Sequence, residues 1–138
     1  NFVLNGDLLS NDDPTQVDGG AVTTFFSNYR TDRETARAEE MSYLDAIISS
    51  EDSSAEAKAT AEEMKQELLA NIETELVIEN LIKAKGFEDA IVTMSTDNVN
   101  VIIQKAELES TEVAQILGII LEETDYTASD VVVVPYEA

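Results

Sequence analysis

The feature that most constrains this 138-residue chain is the segment 86–103, GFEDAIVTMSTDNVNVII, in which apolar and polar residues alternate. Two alternating runs around a polar stretch are typical of a β-hairpin, because successive side chains of a strand point to opposite faces. Asp97 and Asn98 both tolerate positive φ, so we predict that they form a two-residue turn. Met94 then lies opposite Val101. Four apolar side chains share one buried face of this hairpin: Val92, Met94, Val101 and Ile103.

Helical periodicity surrounds the hairpin. Apolar residues three, four or seven positions apart predict helices at about 23–50, 55–85 and 111–124. At the start of the second helix, Ser53 and Glu56 have the spacing of a capping box, and Gly86 suits the left-handed residue at its end. The four valines at 131–134 predict a last strand, which Pro135 ends because proline has no N–H to donate.

The C-terminal order is therefore helix, strand, strand, helix, strand. This order predicts an α+β fold of two layers, with two helices on one face of a three-stranded sheet, preceded by one or two long helices. Upstream of these elements, residues 1–21 carry four acids, no base and a pair of adjacent glycines. We therefore predict a flexible leader at 1–21, a helical segment at 22–74 and the two-layer domain at 75–138.

Composition excludes several classes of function. Lys and Arg number 8 against 29 acids, a net charge of -21, which opposes contact with nucleic acid phosphates or an anionic bilayer. The sequence contains no His and no Cys. Zinc sites of the usual kind, cysteine nucleophiles and serine–histidine triads are therefore excluded, and we expect neither a metal nor another cofactor.

The carboxylates offer little catalytic chemistry. Adjacent pairs at 62–63 and 122–123 point in different directions on a helix and have no apolar pocket to raise a pKa. The stretch DNVN at 97–100 supplies oxygen ligands but not at the first, third and fifth positions of a calcium loop, so a turn explains it better. We interpret these acids as solvated surface.

Three arginines lie on one stripe of the first helix: Arg30, Arg33 and Arg37. They are either a phosphate site or partners for acidic neighbours on the helix surface. The second interpretation is favoured because acids surround them in sequence: Asp32, Glu34 and Glu40.

The second face of the predicted sheet is a candidate docking surface. Ile91 and Ile102 are diagonal neighbours there, among polar residues, and an apolar group on a sheet with open edges is a site for another protein. The alternative is burial of this face by the first long helix. The residues proposed to bind a partner are Ile91, Thr93, Ile102, Gln104, Val132 and Val134.

Two long stretches resemble a known family. They read ENLIKAKGFEDAIVTMSTDNVNVIIQKAEL and STEVAQILGIILEETDYTASDVVVVP. The upstream segment FFSNYRTDRETARAEEMSYLDAIIS also resembles part of the same family. Over about 25–136 the chain resembles the extracytoplasmic part of the stage III sporulation protein AH family of spore-forming bacteria.

The resemblance implies a non-enzymatic protein with a ring-building domain of the type found in secretion systems. It implies a location between the mother-cell and forespore membranes, an anchor in the mother-cell membrane outside this chain, and binding to a partner resembling stage II sporulation protein Q. It also implies a channel that supports engulfment, with homo-oligomeric rings.

Two departures from the family pattern concern assembly. The segment 86–138 has eleven acids and Lys105 as its one base, so basic ring contacts are missing, and ETDYTASD lacks a turn glycine. A second hypothesis is a self-associating structural module of a secretion-type assembly without a role in sporulation. A carboxylate-based hydrolase is the third hypothesis, although no cleft-forming pattern supports it.

Overall fold

The computed structural model describes the backbone of residues 17–137 and the side chains of residues 24–137. Three helices and three strands follow in the order helix, helix, strand, strand, helix, strand, with a short 3₁₀ turn at Ala128–Asp130 before the last strand. Their bounds are α1 Val17–Ser49, α2 Ala55–Ala84, β1 Ala90–Met94, β2 Val99–Gln104, α3 Ser110–Glu123 and β3 Val131–Tyr136.

The sheet has the order β1-β2-β3. β1 and β2 are antiparallel, as a hairpin requires, and β3 lies parallel to β2. A parallel neighbour needs a long crossover, which α3 provides. β2 is therefore the central strand, and β1 and β3 are the two edges.

The main core lies between the sheet and two helices, as the sequence predicts. The second half of α2 contributes Ile78 and Ile82, and α3 contributes Ile116 and Ile120, all completely buried. The four hairpin residues expected in the core are buried there, and Val99 joins them. Each such side chain stabilises the fold by about 1.5–3 kcal/mol. The predicted α+β architecture is confirmed.

The predicted hairpin register is wrong by two residues. Met94 pairs with Val99 rather than Val101, and the turn is formed by Thr96 and Asp97. The N–H of Ser95 donates to the carbonyl of Asn98 at 2.9 Å, and the Ser95 hydroxyl donates to the Asn98 side chain at 2.7 Å. These bonds close the turn one residue earlier than expected. A shift of two keeps every side chain on its predicted face.

Two helix starts also differ from the predictions. α1 begins at Val17, so residues 17–21 of the predicted leader are helical, and residues 1–16 lie outside the described part of the chain. Glycine disfavours a helix by only about 1 kcal/mol, which an otherwise continuous helix tolerates. Ser54 rather than Ser53 caps α2, because its extended backbone lets its side chain accept the N–H of Ala57 at 3.0 Å.

α1 and α2 form an antiparallel helical hairpin. Arg37 faces Glu75 and Arg33 faces Glu79, while at the far end Lys65 binds Asp45. α2 continues through the boundary predicted between residues 74 and 75, so it belongs both to this hairpin and to the layer over the sheet.

Gly86 gives a direct test of how α2 ends. Its φ is +108°, and a Cβ there would meet no atom within 4 Å, so substitution by alanine strains only the backbone. We expect Gly86→Ala to lower the free energy of unfolding by about 1–2 kcal/mol. Gly118 also has open space, but it is helical, so Gly118→Ala should raise stability by up to about 1 kcal/mol. Urea unfolding of both variants measures the difference, and two effects of the same sign would contradict the assignment.

Candidate protein-interaction site

The outward edge of β1 is covered by side chains instead of by another strand. The backbone N–H and C=O groups of successive residues in a strand point to opposite sides. Those of residues 89, 91 and 93 point toward β2, so those of residues 90, 92 and 94 point outward. Arg30 donates to the carbonyl of Ala90 at 2.8 Å, and Arg33 donates to the carbonyl of Val92 at 2.7 Å. The carbonyls of Ala90 and Val92 are therefore satisfied by α1, whereas the carbonyl of Met94 has no hydrogen bond within residues 24–137.

The N–H groups of the same edge bind two carboxylates of α2. The N–H of Val92 donates to Glu79 at 2.9 Å, and the N–H of Met94 donates to Glu75 at 2.7 Å. Both carboxylates are buried, with 1% of Glu75 and 4% of Glu79 exposed. Together the arginines and glutamates occupy most of the hydrogen-bonding positions that an added strand would use.

Each carboxylate is also paired with arginine. Arg37 binds Glu75 through two hydrogen bonds of 2.5 and 2.6 Å, and Arg33 binds Glu79 at 3.1 Å. Arg30 binds Asp89, just before β1, at 2.8 and 2.9 Å. We call these six residues the edge ladder: Arg30, Arg33, Arg37, Glu75, Glu79 and Asp89.

The edge ladder corrects the favoured interpretation of the arginines. They do form ion pairs, but their partners lie on α2 and before β1 rather than among Asp32, Glu34 and Glu40. The two glutamates of the ladder are buried, and its other four members are half-buried. Antiparallel packing brings residues from distant parts of the chain opposite one another. One signal was present in the sequence: Arg33 and Arg37 are four apart, as are Glu75 and Glu79.

The ladder shifts the pKa of three of its members, Arg30, Arg37 and Asp89. Hydrogen bonding to Glu75 raises the pKa of Arg37, and hydrogen bonding to Asp89 raises the pKa of Arg30. Burial alone would raise the pKa of Asp89, but its hydrogen bonds from Arg30 and the Ala90 N–H outweigh burial, so this pKa lies below its ordinary value.

The β3 edge is different. The N–H of Lys105 donates to the carbonyl of Tyr136. The backbone groups of residues 132, 134 and 136 therefore point toward β2, and those of residues 131, 133 and 135 point outward. The N–H of Val131 bonds to Ala128 in the preceding turn. No hydrogen bond within residues 24–137 covers the N–H of Val133 or the outward carbonyls of Val131, Val133 and Pro135. This edge therefore offers one donor and three acceptors.

The second face of the sheet is partly covered by the start of α1. Phe26 packs on Ile91, which is completely buried. Phe25 stacks on Tyr136 with ring centroids 3.9 Å apart. Burial by the first helix, the alternative weighed above, is therefore what the structure shows for Ile91, and its side chain is not accessible to a partner.

The exposure of the other predicted docking residues depends on the strand to which they belong. Thr93 on β1 is half-buried beside the Tyr29 hydroxyl at 3.4 Å, and Ile102 and Gln104 on β2 are also half-buried. On β3, Val132 is 50% and Val134 45% exposed. The exposed apolar part of this face therefore lies on the strand whose edge is open.

Within the described residues, no group of three or more acidic side chains is placed to hold a metal ion. None of the helices described in the structure could span a lipid bilayer. In residues 24–137, side chains bond most of the β1 edge, whereas the β3 edge can accept an added strand.

Comparison with known proteins identifies the family. A family model described as SpoIIIAH-like protein matches residues 5–133, and the chain belongs to this family. Stage III sporulation protein AH of Bacillus subtilis (strain 168) is 35% identical over 120 residues, which cover 86% of this chain and 54% of that protein. The chain thus spans about half the length of this curated relative.

A solved structure supports the same assignment. A chain of the structure described as the SpoIIQ-SpoIIIAH pore forming complex superposes with a TM-score of 0.75 and 31% sequence identity. The match covers 83% of this chain and 98% of the other. The α+β fold is therefore that of the family, and the family is one of structural proteins rather than of enzymes.

The buried glutamates can be tested by a matched pair of substitutions. Glu75→Ala removes the partner of Arg37 and of the Met94 N–H, so we expect the free energy of unfolding to fall by about 3–5 kcal/mol. Glu73→Ala removes an exposed carboxylate of the same helix and should change it by less than about 0.5 kcal/mol. Equal losses in urea unfolding would show that the ladder carries no special stability.

Asp89 predicts a pH dependence. Its pKa is lowered in the folded state, so its contribution is complete above the unfolded value of about 4 and is lost as the pH falls through the folded value. Wild type should therefore be more stable than Asp89→Asn at pH 6, and the difference should shrink below about pH 4. Asp32→Asn, at an exposed position of α1, is the control for the loss of one negative charge. A constant difference between wild type and Asp89→Asn from pH 6 to 3 would contradict the assignment.

Proposed function

We propose that this chain is the extracytoplasmic interaction domain of a sporulation channel component. In this proposal it binds a forespore protein resembling SpoIIQ in the space between the mother-cell and forespore membranes, and the longer protein is anchored in the mother-cell membrane. The chain acts as a scaffold and performs no reaction. Family membership supports the sporulation role, and the superposition on a chain of the SpoIIQ-SpoIIIAH pore forming complex supports the partner.

The observation that carries the proposal is the difference between the two edges of the sheet. Side chains of α1 and α2 cover the backbone groups of β1, so no strand can add there without breaking the edge ladder. β3 keeps outward carbonyls and exposes Val132 and Val134. A partner that recognises the sheet therefore meets β3.

The β3 edge defines what the partner must offer. An added segment would donate N–H groups to the carbonyls of Val131, Val133 and Pro135 and accept the N–H of Val133. Its apolar side chains would cover Val132 and Val134. Pro135 cannot donate, so we expect a short pairing of about three or four hydrogen bonds rather than a long continuous sheet.

Charge supports a basic partner. The segment 86–138 has eleven acids, and its one base, Lys105, is paired with Glu112. A partner surface rich in Lys and Arg would be attracted over about a Debye length, which is 8–10 Å at moderate salt. The association rate should therefore fall as salt rises, while dissociation should change little.

Substitutions on β3 test the proposed surface. Val132→Gln with Val134→Gln removes exposed apolar area and keeps the fold, so we expect the affinity for the purified extracytoplasmic domain of the SpoIIQ homologue to fall about ten- to hundredfold. Calorimetric titration measures the affinity.

Tyr43→Gln is the matched control, because Tyr43 is 68% exposed on α1, far in sequence from the sheet, and its loss should leave binding unchanged. Unaltered affinity of the folded β3 variant would exclude this surface. No binding by the wild-type chain would overturn the proposed partner itself.

Ring formation belongs to the same proposal. The helical layer exposes apolar side chains that a neighbouring copy could cover, Val77 and Leu81 on α2 and Leu121 on α3. A net charge of -21 opposes close packing of identical copies, so rings should form only where salt or a partner screens that charge. Light scattering at low and high salt, with and without the partner, separates these conditions. Assembly at low salt without a partner would instead favour a self-associating module.

A further inference from the structure

A second surface lies on the helical hairpin, away from the sheet. It is a groove of about 460 Å³ between α1 and α2. Ala38 and Met41 of α1 and Ile72 and Leu76 of α2 contribute its apolar lining, and the edge ladder forms one end. We call it the interhelical groove.

An exposed apolar stripe continues the groove along α2. Leu69, Ile72 and Leu76 are 50%, 38% and 58% exposed, and their spacing of three and four residues places them on one face. Several large apolar side chains that are adjacent on one exposed face of a helix mark a contact site more often than single scattered ones do. The groove and stripe match the shape and length of one face of an amphipathic helix.

The rim of this surface is acidic. Glu34 lines the groove on α1. Glu73 is exposed between Leu69 and Leu76 on the same face of α2. The bases near the groove already have partners: Arg33 and Arg37 bind the buried glutamates, and Lys65 binds Asp45. The uncompensated charge around the apolar stripe is negative.

This charge decides between possible occupants. A second copy of the chain would bring its own Glu73 and a net charge of -21 to the same place. The segment 1–16 carries three acids and no base, so it is repelled in the same way. A helix with basic residues beside its apolar face is attracted, and its apolar side chains fill the groove.

We propose that the interhelical groove binds a basic amphipathic helix of another protein, at a site separate from β3. The bound helix places apolar residues at spacings of three and four against Leu69, Ile72 and Leu76. Its Lys or Arg side chains lie beside Glu34 and Glu73. The chain then has two contact surfaces, one on the sheet and one on the helical hairpin, and can join two partners at once.

A designed peptide tests this site with the full 138-residue chain. The probe is a helix of about 18 residues with leucines on one face and lysines on both flanks, and the control peptide has glutamate in place of every lysine. We expect the lysine peptide to bind with a Kd of about 10–100 μM, more weakly as salt rises, and the glutamate peptide not to bind. Amide NMR shifts should centre on Met41, Ile72 and Leu76.

Two variants make the result decisive. Leu69→Gln with Leu76→Gln should weaken binding of the lysine peptide at least about tenfold, with an unchanged melting temperature because both residues are exposed. Val132→Gln with Val134→Gln keeps the groove and should bind the peptide as wild type does. Equal binding by the groove variant, binding of the glutamate peptide, shifts centred on β3, or dimerisation through the groove would each overturn the proposal.

Discussion

Two buried carboxylates of α2, Glu75 and Glu79, connect this helix to α1 and to β1. Each accepts an N–H from the edge of β1 and a guanidinium from α1, while both belong to α2. Removing a carboxylate from water costs several kcal/mol, so these two are tolerated only while both kinds of partner are present. Separation of α1, α2 or β1 would leave buried charge unpaired. The helical hairpin and the sheet are therefore coupled, although they share only part of α2.

The same interaction makes the two edges of the sheet different. A bare strand edge invites pairing with other chains, and proteins commonly protect such edges with charge or proline. Here charged side chains bond most of the outward backbone groups of β1. On β3, only the short length of the strand and Pro135 restrict pairing with another chain. A protein that works by contact needs one available surface and protection elsewhere. The exposed apolar residues of the second face lie on the same strand, because Phe26 covers Ile91 on β1 and leaves Val132 and Val134 open.

Much of the architecture could be predicted from local pattern. The faces of the hairpin, the order of elements, the two-layer core and the end of α2 at Gly86 all follow from alternation, helical spacing and a glycine at positive φ. The register could not, because a shift of two residues leaves every side chain on the same face, and bonds between Ser95 and Asn98 made the choice. The position of β3 was also open, since a strand joined by a helix can lie beside either neighbour.

The candidate site was predicted less well than the fold. From the sequence, Ile91 and Val134 are equivalent apolar residues on one face, yet Phe26 buries the first and leaves the second exposed. Likewise the arginines were predicted to pair with acids, but which acids depended on the antiparallel packing of α1 on α2, which brings together residues 38 positions apart in sequence. Local pattern is enough to predict the elements and their buried faces, because these depend on residues that are neighbours in sequence, and composition alone gives the charge. Which edge is capped and which surface stays open depends on contacts between distant segments, and these are visible only in the folded chain because no local period encodes them.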